Sequence, residues 1–271
     1  MVAAGLAALG ILILAQSGAG AGLPRPAHVV VIVEENHSYD QIVGERAAPY
    51  INQLVREGAL FVDAHGVTHP SLPNYFALFA GLTNANGDGC PATGIPSDAP
   101  NIASELLAAH RSFAAYSESL PSTGFTGCAA GTYARKHAPW VHFKNVPASD
   151  NRPLSKLPSF EQLADVVYIV PNVDDDMHDR GVGDGDAWLR SNVRALVAWA
   201  RTHDTLLILT WDEGFDAANH VATVFVGPMV RPGKYTEHVT HYRVLRTIEA
   251  LEGLAPTGHA ADVAPIGDVW R

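Results

Sequence analysis

Charge is scarce in this chain. Only 17% of its 271 residues are Asp, Glu, Lys or Arg, against 47% hydrophobic residues, which excludes a disordered or low-complexity protein and leaves ample apolar surface for a large core. Positive charge is scarcer still. With 18 Lys and Arg against 28 Asp and Glu, the net charge is −10, so nucleic acid and anionic membranes as general partners would be repelled. An anionic ligand would need a locally positive site made from metal ions, protonated His or a few Lys and Arg, and 13 histidines are numerous for this length. Cysteine is nearly absent. Cys90 and Cys128 are the only two; they have no metal-type spacing, and in an exported chain an even pair is most simply one disulfide. No internal repeat is visible and no second domain is required.

The long apolar run is confined to the N-terminus. Residues 2–15, VAAGLAALGILILA, precede the small-residue stretch QSGAGAGLPRP. Residues 1–22 therefore read as a secretory signal with Ala19 and Ala21 in an A-x-A arrangement, which places the protein outside the cell or in its envelope and leaves 23–271 as a single domain. The n-region lacks Lys and Arg, so an uncleaved anchor of about 20 residues is the alternative.

The stretch around which the chain is organised is Thr68–Gly81, THPSLPNYFALFAG. Its apolar run Tyr75, Phe76, Leu78 and Phe79 ends at Gly81 as a short buried helix would; Pro73 suits the first turn and Gly81 the C-terminal stop. Ser71 falls at the helix start. There, free N–H groups and the positive end of the helix dipole favour an alkoxide or a phosphate, although Ser is also an ordinary N-cap.

Unalternated β-branched runs mark buried strands at Val29–Val33, Val166–Val170 (VVYIV), Thr205–Thr210 (TLLILT) and Ala222–Gly227, with a shorter one at Ala59–Val62. Between them, helical patterns cover Pro49–Glu57, the segment capped by Asn101, a crossover helix Asp186–His203 with Trp188 and Trp199 in its core face, and a C-terminal helix capped by Thr240. This alternation predicts an α/β fold, a mostly parallel central sheet flanked by helices on both faces. Leu120–Pro158 is rich in Gly, Pro, Asn and Ser and reads as a surface excursion that carries Arg135, Lys136, His137 and His142.

Three of the strands empty into polar clusters: Glu35 and Asn36; Asp174, Asp176 and His178; Asp212 and Glu213. Carboxylate and amide oxygens suit hard divalent cations and imidazole suits zinc-like ions. Each cluster alone is equally a solvated loop or a helix cap. Together with Ser71 at one sheet edge they point to a divalent metal site, its ion unidentified.

EENHSYDQIVG, THPSLPNYFALFAG, YARKHAPWVHF, PNVDDDMHD, TWDEG and THYRVLRTIEALEG resemble the successive motifs of the bacterial phosphoesterase family, whose members include exported acid phosphatases and phospholipases C. SLPNYFALFAG is also similar to the nucleophile region of nucleotide pyrophosphatases in the wider alkaline phosphatase superfamily, where Thr stands in the position of Ser71. The resemblance implies an exported, monomeric phosphatase acting on small phosphate monoesters or phosphoinositides through a serine phospho-enzyme, with an alkaline-phosphatase-like fold. It also implies roles: Ser71 as nucleophile; Glu35, Asn36, Asp212 and Glu213 with the Ser71 oxygen as metal ligands; Lys136, His137 and His178 as phosphate contacts or proton donors; and His69 beside the nucleophile. A second metal position is only partly recognisable, as Asp174, His178 and His241. A phospholipase C or phosphodiesterase of the same fold is the alternative within the class. A non-catalytic secreted cation-binding module is the alternative outside it.

Overall fold

A computed structural model of the chain describes residues 22–84 and 86–271; the reading of 1–22 as a signal or anchor falls, Gly22 apart, outside them. The strands are β1 (His28–Glu34), β2 (Ala59–His65), β3 (Phe113–Ser117), the short ribbon β4 (Ala129–Ala130) and β5 (Tyr133–Ala134), β6 (Asn151–Pro153), β7 (Val166–Val170), β8 (Thr205–Trp211), β9 (Thr223–Val226) and β10 (Gly233–Thr240). The helices are α1 (Tyr39–Ile42), α2 (Pro49–Glu57), α3 (Ser71–Ala80), α4 (Ile102–Ala108), α5 (Val182–Asn192), α6 (Arg194–Ala200) and α7 (His241–Glu252). Eight strands form one sheet in the order β10-β2-β9-β8-β1-β7-β3-β6. All pairs are parallel except those of β9 with β2 and β8, so the carboxyl ends of the other seven strands share one edge.

The β-branched runs sit where they can be buried on both faces. Val29 to Val33 in β1 have no exposed surface, and each such side chain adds about 1.5–3 kcal/mol on leaving water. Helices α3, α4 and α7 pack together as one layer, and α2, α5 and α6 as the other. Helix α3 is buried along its whole length. Gly81 ends it with φ 68°, a left-handed conformation in which a β-carbon would also lie 2.3 Å from the Thr257 carbonyl oxygen.

Several expectations need correction. Leu120–Pro158 is not a simple surface excursion: Tyr133, His137, Trp140 and Phe143 are buried, Trp140 and Phe143 pack on Phe79 of α3, and β6 adds an edge strand. The crossover helix breaks at Val193, where Asn192 Nδ2 donates to the Trp188 carbonyl and competes with the helical ladder. Thr240 occupies the N-cap position of α7 without a side-chain hydrogen bond. Strand β10, GKYTEHVT, has no strand signature in its sequence because an edge strand keeps charged and polar side chains that weaken the apolar alternation.

Candidate active site

Of the expected site residues, Glu35, Asn36, Asp212 and Glu213 follow directly on a strand and Ser71 begins a helix, whereas His69, Lys136, His137 and His178 lie in connecting segments; the parallel sheet gathers most of them. Ser71 is the first residue of α3, with Pro70 in the cap position, so its hydroxyl is not spent on capping. It donates instead toward Glu35 Oε2 at 3.0 Å and Glu213 Oε1 at 3.1 Å. Asn74, one turn on, fixes the entering loop: its Oδ1 accepts from the backbone N–H groups of Val67 and Thr68, and its Nδ2 donates to the Thr68 and Pro70 carbonyls. Asn36 adopts φ 53°, a left-handed turn that Asn tolerates, and its backbone N–H donates to Asp212 Oδ1 at 3.1 Å. His69 Nδ1 lies 2.5 Å from Glu213 Oε2.

A second set of side chains meets Glu35 from the 120–158 segment. Lys136 Nζ lies 3.0 Å from both Asp88 Oδ2 and His178 Nε2. An ammonium only donates, so His178 Nε2 accepts, and the ring proton sits on Nδ1, 2.6 Å from Asp179 Oδ1. Asp88 also accepts from the Leu72 N–H in the first turn of α3. His137 is buried, stacked on Tyr75, with Nε2 3.1 Å from Glu35 Oε1 and Nδ1 3.0 Å from Asp176 Oδ2. Tyr75 donates to the same Glu35 oxygen at 2.6 Å.

The electrostatics follow from depth. Burial, then the neighbouring carboxylates Asp212 and Asp176, pushes Glu35 well above the ordinary carboxyl range. Burial followed by Glu213 raises Asp212 to about 8, and burial raises Asp176 to about 7. Burial, followed by the Lys136 charge, drives His137 far below the ordinary imidazole value. Burial alone would lower Lys136, but Glu35 and Asp88 outweigh it and keep the ammonium charged.

A divalent cation fits these residues. Asp212 Oδ2, His137 Nε2 and Asp176 Oδ2 are buried without an aligned hydrogen-bond partner, which is expensive unless a cation takes the lone pairs. One ligand atom each from Glu35, His137 and His178 lies within 4.8 Å of the others. Asp174 and His241, expected with His178 at a second position, do not join this group: Asp174 pairs with Arg180 at 2.9 Å, and buried His241 turns its Nε2 to the Asp212 carbonyl at 2.5 Å. Asp88, Tyr75 and Asp176 complete the cluster. Asp88 lies in an aperiodic stretch, and nothing in its local sequence marks it. A concavity of about 340 Å³ lined by Trp140, Phe143 and Lys144 includes none of these residues; titratable groups, not volume, locate the site.

Cys90 and Cys128 form a disulfide with Cα atoms 5.9 Å apart. It ties the segment carrying Asp88 to the ribbon that precedes Lys136 and His137. Among the described residues no helix is long and apolar enough to cross a membrane.

Comparison with known proteins agrees with this geometry. Residues 45–255 match the Phosphoesterase family. The chain is 45% identical to the phosphatidylinositol-3-phosphatase of Mycobacterium tuberculosis, over 100% of this chain and 92% of that protein. It is 29% identical to a probable acid phosphatase of Kluyveromyces lactis over 81% of the chain, and spans 56% of that longer protein. Among solved structures, an alkaline phosphatase superfamily protein from Vibrio parahaemolyticus aligns with TM-score 0.64 at 13% identity, covering 86% of this chain and 68% of that one. The phosphonate monoester hydrolase of Silicibacter pomeroyi aligns with TM-score 0.63 at 12% identity, covering 89% and 76%. At such identities the structural likeness establishes the fold.

Proposed function

From the premise that the chain belongs to the phosphoesterase family and is a phosphoric monoester hydrolase, we propose that Ser71 is its nucleophile and that its substrates are small phosphate monoesters, phosphoinositide headgroups among them. The observation that carries this reading is the Ser71 hydroxyl at the start of α3, within hydrogen-bonding distance of two buried carboxylates from different strand ends. An N-cap serine would bond its own helix instead. The phosphoinositide part rests on similarity to the mycobacterial enzyme.

In this mechanism Ser71 Oγ attacks phosphorus, its proton passes to Glu35 or Glu213, and the P–O bond to the leaving alkoxide breaks with its electron pair on that oxygen. Lys136 and His178, already hydrogen-bonded to each other, face the phosphoryl oxygens and supply the proton to the alkoxide. Water then attacks the phosphoserine and frees Ser71. A divalent cation held by Glu35, Asn36, Asp212, Glu213 and the Ser71 oxygen would lower the serine pKa and neutralise transferring charge. His137, buried between Glu35 and Asp176, orients Glu35. His69 holds Glu213 in place.

The test is a panel of monoesters and diesters with mass spectrometry of acid-quenched enzyme. Monoester hydrolysis with a phosphate adduct on the Ser71 peptide is expected. Preferential diester turnover would favour the phosphodiesterase alternative, and an adduct elsewhere would remove Ser71 from its role.

A further inference from the structure

A second group of ligand-type side chains sits on the same sheet edge, outside the site described above: Asp63 and His65 of β2 and His238 of β10. One ligand atom from each lies within 4.8 Å of the others. Asp63 and His65 are two residues apart in a strand and so share a face. His238 pairs with Asp63 in the strand register only because β10 carries an irregularity between Tyr235 and His238. Continuing the register from Tyr235 opposite Phe61 would set Glu237 against Asp63, acid against acid; the extra residue brings an imidazole there instead. Such bulges commonly re-aim a side chain toward a site.

The proton count at His65 asks for a cation. His65 Nδ1 lies 2.7 Å from the Ala218 carbonyl oxygen, which can only accept, so Nδ1 bears the hydrogen. In the neutral ring Nε2 is then a lone pair, and it faces Asp63 Oδ1 at 2.8 Å. Two acceptors at that distance need a proton or a metal ion between or beside them. His238 Nδ1 is 3.2 Å from the other Asp63 oxygen. A ring whose remote N–H is fixed by a backbone carbonyl is the usual setting of a metal-bound histidine. His65 is held further by His220, stacked on it with ring centres 5.0 Å apart and anchored through Nε2 to the Val62 carbonyl. Ligands at about 2.0–2.1 Å around a tetrahedral ion stand about 3.3 Å from one another; His238 Nδ1 at 3.2 Å from Asp63 Oδ2 matches this, and His65 Nε2 at 2.8 Å from Oδ1 would move outward by about half an ångström on binding.

We propose that Asp63, His65 and His238 form a transition-metal site of the His₂Asp type, selective for zinc-like divalent ions, that is separate from the Ser71 cluster. It lies where it would stiffen the approach to Ser71. His65 ends β2, the next residue Gly66 donates its N–H to the Asn219 carbonyl, and Asn219 in turn binds the Thr68 carbonyl and the Gly214 N–H. A metal here clamps the edge strand β10 to the base of both loops that enclose the nucleophile. The open face of the site is solvent, so its ion exchanges freely and a fourth ligand is water.

The test is zinc stoichiometry of the full chain, stripped with chelator and reloaded with Zn(II), compared with His238→Ala. His238 is exposed on an edge strand, so this variant keeps the fold even where His65→Ala does not. The expected result is one equivalent of zinc fewer in His238→Ala, or that equivalent bound about a hundredfold more weakly, with a smaller zinc-induced rise in melting temperature and unchanged monoester hydrolysis. Cobalt(II) loading should show a visible absorption band that His238→Ala lacks. Equal zinc counts and equal thermal shifts in the two proteins would overturn the proposal and leave the triad an ordinary ion pair between protonated histidines and Asp63. Neither outcome depends on the role of Ser71.

Discussion

At the ends of β1 and β8, Glu35 and Asp212 are 0% and 1% exposed, whereas at the ends of β2 and β10 the side chains of Asp63 and His238 keep 45% and 65% of their exposure. Both groups combine carboxylates with imidazoles on one edge of one sheet. The difference is what an unpaired charge costs. In the buried cluster, each carboxylate without a partner is penalised by desolvation, so its retention points to a cation or to chemistry. In the exposed cluster water can satisfy every group, and proximity alone says little; only the proton count at His65 and the bulge in β10 give that site content.

The largest effect should come from the centre of the buried cluster. Ser71→Ala is expected to lower monoester turnover about a thousandfold or more while leaving the far-ultraviolet circular dichroism and melting temperature close to wild type. Near-normal turnover in the folded variant would place the chemistry elsewhere and remove the contrast between the clusters.

Reduction of the Cys90–Cys128 disulfide is next. It closes a 38-residue separation and by chain entropy is worth about 3–4 kcal/mol. Because it braces the segments that bring Asp88 and Lys136 to Ser71, reduced protein should lose activity at temperatures where it is still folded. Zinc binding at the exposed triad should survive. Parallel loss of both would mean that the two regions unfold as one unit.

Chelation separates the clusters differently. Removing a divalent ion from the Ser71 site should lower activity and melting temperature together, by about 2.7 kcal/mol of stability relative to a hundredfold excess over its dissociation constant. Asp212→Asn should abolish the metal response of activity, and His238→Ala should not. If stripped protein retains full activity, Asp212 and Glu213 act by direct contacts.

The smallest effect is a difference of sign with pH. Burial raises Glu249 of α7 to about 7, although it accepts from the Thr257 N–H and hydroxyl. The folded chain thus holds a proton there that the unfolded chain has lost, so this contribution to stability is present below the ordinary carboxyl value of about 4.5 and declines as pH rises toward about 7. Asp63 runs the other way in the metal-free protein, where a hydrogen bond from the His65 ring lowers its pKa; its contribution is present above the ordinary value and fades on acidification. Glu249→Gln should therefore flatten the fall of melting temperature between about pH 4.5 and pH 7, and Asp63→Asn should not. An unchanged fall in Glu249→Gln would show that the carboxylate is charged in the fold.

Local chemistry was enough to read the buried strands, helix α2 and helix α3 with its glycine stop, because a strand covered on both faces must be continuously apolar and a helix end must satisfy its backbone groups. That Glu35, Asn36, Asp212 and Glu213 share one edge was legible for a related reason: polar residues directly after buried parallel strands have one edge to go to. Other assignments needed the tertiary structure. Tyr75 reads as part of an apolar helix face until its hydroxyl meets Glu35. Asp88 belongs to the site only because the disulfide-braced loop folds back on α3. His137 reads as a loop histidine, yet packing on Tyr75 buries it between two acids. The triad of Asp63, His65 and His238 exists only through the pairing of β2 with β10 and the extra residue that sets its register. The sequence by itself determined which segments had to be buried and which polar groups followed them, since hydrophobic burial and backbone hydrogen bonding are local demands. Which polar groups met was decided by the tertiary structure, since strand order, register and loop packing place side chains that sequence distance keeps apart.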